Sequence, residues 1–142
     1  MKSLKKIAVV GNSGAGKSTL AKELGRCLAI QVYSIDKIYW LAGWELRDQP
    51  SFQSLHEEWI ENDSWIIEGV GYWEEVEQRL SESDVAIFLD VPVDVCKQRA
   101  EIRIEQELYE PNPDITLGCE YGSVKELQME AIEKFHCEMR PK

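Results

Sequence analysis

Basic residues are scarce in this chain of 142 residues. Lys and Arg total 16 against 26 Asp and Glu, for a formal net charge of -10. Such a balance gives no general positive field to neutralise phosphates, so a dedicated nucleic-acid binder is not expected. Histidine is rarer still, with 2 in all. Neither His56 nor His136 has a partner at metal-ligand spacing, and both read as satisfied core or surface side chains. The 4 cysteines, Cys27, Cys96, Cys119 and Cys137, lie far apart and form no C-x-x-C pair. That argues against a metal knuckle or a disulfide framework and predicts reduced thiols. Apolar runs are too short for a transmembrane helix. The basic start, Met1 to Lys6, leads straight into a strand rather than a secretory leader. A cytoplasmic protein with no membrane partner is the expectation, folded as a single domain over residues 1–142.

What the chain does have is concentrated near its start. Gly11-Asn12-Ser13-Gly14-Ala15-Gly16-Lys17-Ser18-Thr19 follows the apolar run Ile7-Ala8-Val9-Val10 and opens onto a helix-like segment, Leu20 to Gly25. This is G-x-x-x-x-G-K-[ST] between strand and helix, the context a phosphate-binding loop needs. Glycines let the backbone fold back so that successive N–H groups face one anion-sized hollow. The helix adds the partial positive charge of its N-terminus. Gly11, Ser13, Gly14, Ala15, Gly16, Lys17, Ser18 and Thr19 are therefore the expected nucleotide-binding residues. Lys17 would reach the β- and γ-phosphates and the Ser18 hydroxyl would serve Mg²⁺.

Beyond the loop, strands and helices alternate. Ile30 to Ile35 has β-branched and aromatic character, and Asp36 lies just past it. Pro50-Ser51 opens a helix with Phe52, Leu55, Trp59 and Ile60 at helical spacing. Asn62-Asp63 breaks it, and Trp65-Ile66-Ile67-Glu68 reads as a buried strand ending at Gly69. Trp73 to Leu80 is helical, with Val76 and Leu80 four apart. Asp84 to Asp90 is a continuous apolar strand of the kind covered on both faces. Pro92-Val93 starts a helix to about Leu108, and a last helix covers about Ser123 to Cys137. Between them, residues 108–122 carry Pro111, Pro113, Gly118 and Gly122 and read as a lid. The pattern predicts a parallel sheet with helices on both faces, and ligands at the carboxyl ends of its strands.

Three carboxylates fall at such ends. Asp90 follows a run of apolar residues as a Walker-B aspartate does. Glu68 has the same setting and precedes a glycine. Asp36 is best placed to meet an acceptor hydroxyl or a metal-bound water. On the residues alone, the Mg²⁺-linked role stays open between them. Arg99 and Arg103 are four apart and share one helix face beside the lid, where an arginine pair could clamp phosphate oxygens. Trp40 and Trp44 fall after Asp36, where an acceptor pocket would form, and Arg79 is a weaker candidate for the same pocket. Trp59 and Trp65 fit the core.

The glycine loop, Val32-Tyr33-Ser34-Ile35-Asp36 with Trp40 and Gly43-Trp44, Trp65-Ile66-Ile67-Glu68-Gly69, Arg79-Leu80, Asp84 to Asp90 and Arg99-x-x-x-Arg103 resemble one group in order and spacing. It is the adenylate-kinase-like P-loop proteins that carry the name DNA topology modulation protein. The resemblance implies a three-layer α/β P-loop NTPase of the nucleoside-monophosphate-kinase type. Such a fold has a parallel sheet of about four to five strands, helices on both faces and a short lid. It further implies Mg²⁺ and ATP, or another nucleoside triphosphate, and favours Glu68 over Asp90 for the Mg²⁺-linked role. Arg99 is implied near the donor base and phosphates, and Arg103 on the phosphates. This chain departs from the group in carrying Glu68 for the usual Asp, Gly69-Val70-Gly71-Tyr72 after it, and no Arg or Lys between Leu108 and Gly122. The reading that results is phosphoryl transfer to an unidentified small molecule or nucleotide. Lys17, Asp36, Arg99 and Arg103 would be its catalytic residues. Its alternatives are a nucleotide-binding regulatory protein and, less in keeping with the charge, a DNA-associated one.

Overall fold

A computed structural model describes residues 4–12, 14–107 and 125–139. Ser13, Cys119 and the lid expected at 108–122 lie outside the described residues. The main sheet has the order β2-β5-β1-β6, built from β1 (Lys6–Gly11), β2 (Val32–Ser34), β5 (Trp65–Glu68) and β6 (Val85–Leu89). All its pairings are parallel. A second, antiparallel pair, β3 (Trp40–Leu41) and β4 (Glu45–Leu46), forms a small hairpin that the aperiodic aromatic stretch did not reveal.

Helices α1 (Lys17–Leu28), α2 (Asp36–Tyr39), α3 (Gln49–Ile60), α4 (Trp73–Glu82), α5 (Val93–Glu107) and α6 (Lys125–Lys134) complete the order, with a π-helical turn at Phe135–Met139. Alternation along the central strands separates two cores. Ile7, Val9 and Ile66 face α1 and pack with Ala21. Ala8, Trp65 and Ile67 face the other way, onto Ile35, Ile38, Phe52 and Ile60. With every residue of β5 buried, the sheet is the middle layer of three, as a parallel sheet requires. A third cluster joins Ala15 of the glycine loop to Cys96, Ala100 and Ile132, so α5 and α6 support the loop from behind.

Local chemistry sets the ends of several elements. Asp48 caps α3 by accepting from Ser51 N at 3.0 Å, with Pro50 in the first turn, where its missing N–H costs nothing. Ala29 ends α1 in the left-handed region at φ 55.

Two expectations need correction. β6 is not covered on both faces: it is an edge among the described strands, and its residues are half-buried or exposed. Asp36 lies just past β2, as expected, in the first turn of α2. The inward face of α4 is not Val76 with Leu80. It is Glu75, Val76 and Arg79, and Leu80 is 37 % exposed.

Candidate active site

β1 delivers the glycine loop to the carboxyl edge of the sheet. Ala15 N donates to Asn12 O at 3.1 Å, and Lys17 Nζ donates to the same oxygen at 2.8 Å. Gly14 has φ +79, and a Cβ there would fall 2.3 Å from the Cys96 carbonyl oxygen. Backbone conformation and space thus both demand glycine at this position. Gly16, at φ 96, is the N-cap of α1 and offers no side-chain cap. The N–H groups of the first turn therefore have no intrahelical acceptor, and with the helix dipole they form a cradle for an anion.

The register places Glu68 beside both Val9 and Ser34. Its side chain is buried at 3 % exposure, yet it receives two hydroxyls on one oxygen. Ser34 Oγ donates to Oε1 at 2.6 Å and Ser18 Oγ at 3.1 Å. Burial pushes the Glu68 carboxyl above its ordinary value, opposed by the Ser34 bond and by Lys17. Burial also lowers the Lys17 ammonium, opposed by the charges of Glu68 and Asp36. Asp36 is exposed and close enough for its charge to act on both groups. Asp90 is exposed beyond β6, on the opposite side of β1. Ser34 was not among the expected residues. A hydroxyl at the carboxyl end of a strand, two residues before a candidate carboxylate, is the signal that could have found it.

The two arginines of α5 meet the loop differently. Arg99 Nη1 donates to Ala15 O at 3.2 Å. Arg103 is half-buried, and its charge contributes to lowering the Lys17 pKa. Arg79 departs from expectation. It does not line an open pocket but is wholly buried at 0 % exposure. Its Nη2 donates to Gly69 O at 2.7 Å and to Val70 O at 2.6 Å, and Nη1 lies 3.4 Å from His56 Nε2. Two accepting backbone carbonyls and the charges of Glu75 and Glu68 explain why a cation is tolerated there. Trp40 and Trp44 belong to the β3–β4 hairpin and its connecting turn, packed edge to face with ring centroids 5.1 Å apart. They follow α2 in the chain and pack against each other.

The donor set fits Mg²⁺ with a nucleotide. Ser18, Ser34, Glu68 and Asp36 offer hard oxygen ligands, and Mg²⁺ is typically held by one or two carboxylates plus substrate phosphates rather than an all-protein cage. No cluster of three or more His, Cys, Asp or Glu able to hold a metal occurs among the described residues.

A parallel sheet with a glycine loop opening onto an uncapped helix defines a P-loop domain. Residues 7–112 match the model of the AAA domain family AAA_18, and the chain belongs to that family. It is 31 % identical over 103 residues to "Uncharacterized protein YqaC" of Bacillus subtilis (strain 168), a match covering 70 % of this chain and 56 % of that protein. The chain thus spans little more than half of that relative's length. Among solved structures, its fold is similar to a shikimate kinase from Bacteroides thetaiotaomicron, with a TM-score of 0.58 and 22 % identity over 94 % of this chain and 80 % of that one. It is also similar to a shikimate kinase from Acinetobacter baumannii in complex with shikimate, with a TM-score of 0.55, 18 % identity, and 99 % and 97 % coverage. A gluconokinase from Sinorhizobium meliloti 1021 gives a TM-score of 0.53 and 13 % identity, covering 98 % of this chain and 97 % of that one. The α/β class and the parallel sheet of about four to five strands expected from the sequence are observed, with four strands in the sheet.

Proposed function

We propose that this chain is an ATP-dependent kinase that transfers a phosphoryl group from Mg·ATP to the hydroxyl of a small molecule. One observation carries the reading: Ser18 and Ser34 converge on Glu68 at the head of an uncapped helix that also presents Lys17. The N–H groups of the loop and Lys17 would hold the phosphates, and Ser18 and Glu68 would hold Mg²⁺. The bound ion would neutralise charge on the transferring group. Asp36 would orient the acceptor hydroxyl and take its proton as the oxygen joins phosphorus and the bond to the departing nucleotide breaks. Arg99 and Arg103 would balance charge on the phosphate oxygens, with Arg99 exchanging its bond to Ala15 for one to the nucleotide. Support for a small acceptor comes from the structural neighbours, which are named as kinases of shikimate and as a gluconokinase. The cytoplasm and the absence of a nucleic-acid partner remain part of this reading.

Calorimetric titration with Mg·ATP tests it. Lys17→Ala should weaken binding by about a hundredfold, the loss of a charge-assisted contact worth roughly 3 kcal/mol; unchanged binding would overturn the reading. A screen of nucleosides, nucleotides, sugars and hydroxy acids for ATP-dependent phosphorylation then decides the activity. ATP binding with no acceptor phosphorylated favours a nucleotide-binding regulatory protein instead.

A further inference from the structure

The segment that leaves Glu68 turns sharply. Gly69 has φ +115 and Gly71 φ +74, so the chain reverses within a few residues of the carboxylate. A reversal of this kind turns backbone carbonyls inward, where each needs a donor. Both inward carbonyls, Gly69 O and Val70 O, are served by one nitrogen, Nη2 of Arg79. Arg79 reaches them from α4, with Glu75 beside it on the inward face. Burial lowers its pKa to about 10, and the Glu75 and Glu68 charges oppose that shift.

The same backbone is tied on its other side to the two groups that frame the site. Gly69 N donates to Val9 O at 3.0 Å, on the strand that runs into the glycine loop, and Ile35 N donates to Glu68 O at 2.9 Å. Ile35 immediately precedes Asp36. The backbone on which Glu68 and Asp36 are hung is therefore clamped between the β1 edge and one guanidinium. Gly69 and Gly71 also lie close against Ile35 and Phe52, but glycine itself restricts the backbone least, so the guanidinium is what holds the two carbonyls. We propose that Arg79 is a positioning residue for the metal site: by holding the carbonyls of Gly69 and Val70 it fixes the Glu68 carboxylate in the register that meets Ser18 and Ser34.

The proposal rests on the reading of Glu68 as the Mg²⁺-linked carboxylate, and its test separates the two. The full chain is titrated calorimetrically with ATP in EDTA and with ATP in excess Mg²⁺, as wild type, Arg79→Lys, Arg79→Gln, Glu68→Gln and the double variant Arg79→Lys/Glu68→Gln. Lysine keeps the charge but cannot reproduce the fixed planar fork. Arg79→Lys should weaken Mg·ATP binding by about tenfold, as expected for loss of an outer-sphere partner of a metal ligand, and leave Mg-free ATP within about twofold. In the Glu68→Gln background the same change should alter Mg·ATP binding by less than about twofold, because two residues acting as one unit are not additive. Equal weakening of both forms of ATP, or additive losses in the double variant, overturns the proposal. Failure of both Arg79 variants to fold, judged by circular dichroism, also overturns it and makes Arg79 a residue of the fold alone. Failure of the wild type to bind ATP in either form is the failure of the kinase reading itself and is seen before any variant is made.

Discussion

His56 has no role in the proposed chemistry, yet it gives the molecule a measurable pH response. It is wholly buried, parallel to Phe52 with ring centroids 6.0 Å apart, and faces Arg79 and Gln78. Burial, and then the Arg79 charge, lower its pKa from 6.5 to about 4, against a smaller opposing effect of Gln78. The unfolded chain therefore takes up this proton at a higher pH than the folded one. The stability contributed by neutral His56 is complete above the unfolded value and drains away as pH falls toward the folded value. Between about pH 7 and about pH 5 the loss is about 2 kcal/mol. Urea unfolding at the two pH values checks this, and His56→Asn should remove most of the difference. Arg79, its neighbour, shows why some residues resist reading from sequence. A charged residue four positions from Glu75 looks like half of a surface pair. Its inward orientation depends on two carbonyls about ten residues away in the chain. Ser34 is hidden for the same reason, since its meaning comes from the β2–β5 register rather than from its neighbours in sequence.

At the scale of elements, segments defined by their own residues were legible. The glycine loop, the strand that precedes it, α3 with Pro50 in its first turn and the apolar β5 all declare themselves by spacing and punctuation. Glu68 was legible with them because it ends a strand. The β3–β4 hairpin was not, because its strands are only 2 residues each and are held by packing among Tyr39, Trp40 and Trp44. Nor was the seating of α6, which depends on contacts far away in the chain. Ile132 is buried against Ala15, Cys96 and Ala100, its carbonyl accepts from Asn12 Nδ2 at 2.7 Å, and Glu133 pairs with Lys97 of α5. Ile132→Ala should cost about 2 to 4 kcal/mol of stability, the range for a truncated core aliphatic. It should also weaken ATP binding, because the emptied space lies directly behind Ala15. Thermal melts with and without Mg·ATP would check both effects, and an unchanged ligand-induced shift in Tm would count against coupling between α6 and the loop.

For the molecule as a whole, the net charge of -10 sets the expected partners. An acidic protein can hold a nucleotide because a few oriented N–H groups and Lys17 act at short range inside one cradle, whereas a duplex needs many phosphates neutralised at once. Fluorescence anisotropy at about 150 mM salt should show no binding to a labelled DNA duplex, while Mg·ATP binds. Salt-sensitive duplex binding under those conditions would return the DNA-associated alternative to consideration. No helix among the described residues is long and apolar enough to cross a membrane.

The bond from Asn12 to Ile132 also has a consequence for how the protein is made. Asn12 leaves the ribosome well before its acceptor, which is synthesised 120 residues later. Throughout that interval a nascent chain can form β1 and begin α1, but the support behind the phosphate cradle is still missing. Nucleotide should therefore select for chains that have already formed α6. A ribosome-stalled chain ending before α6 would carry the whole glycine motif and bind Mg·ATP poorly, and release of the remaining residues would switch binding on.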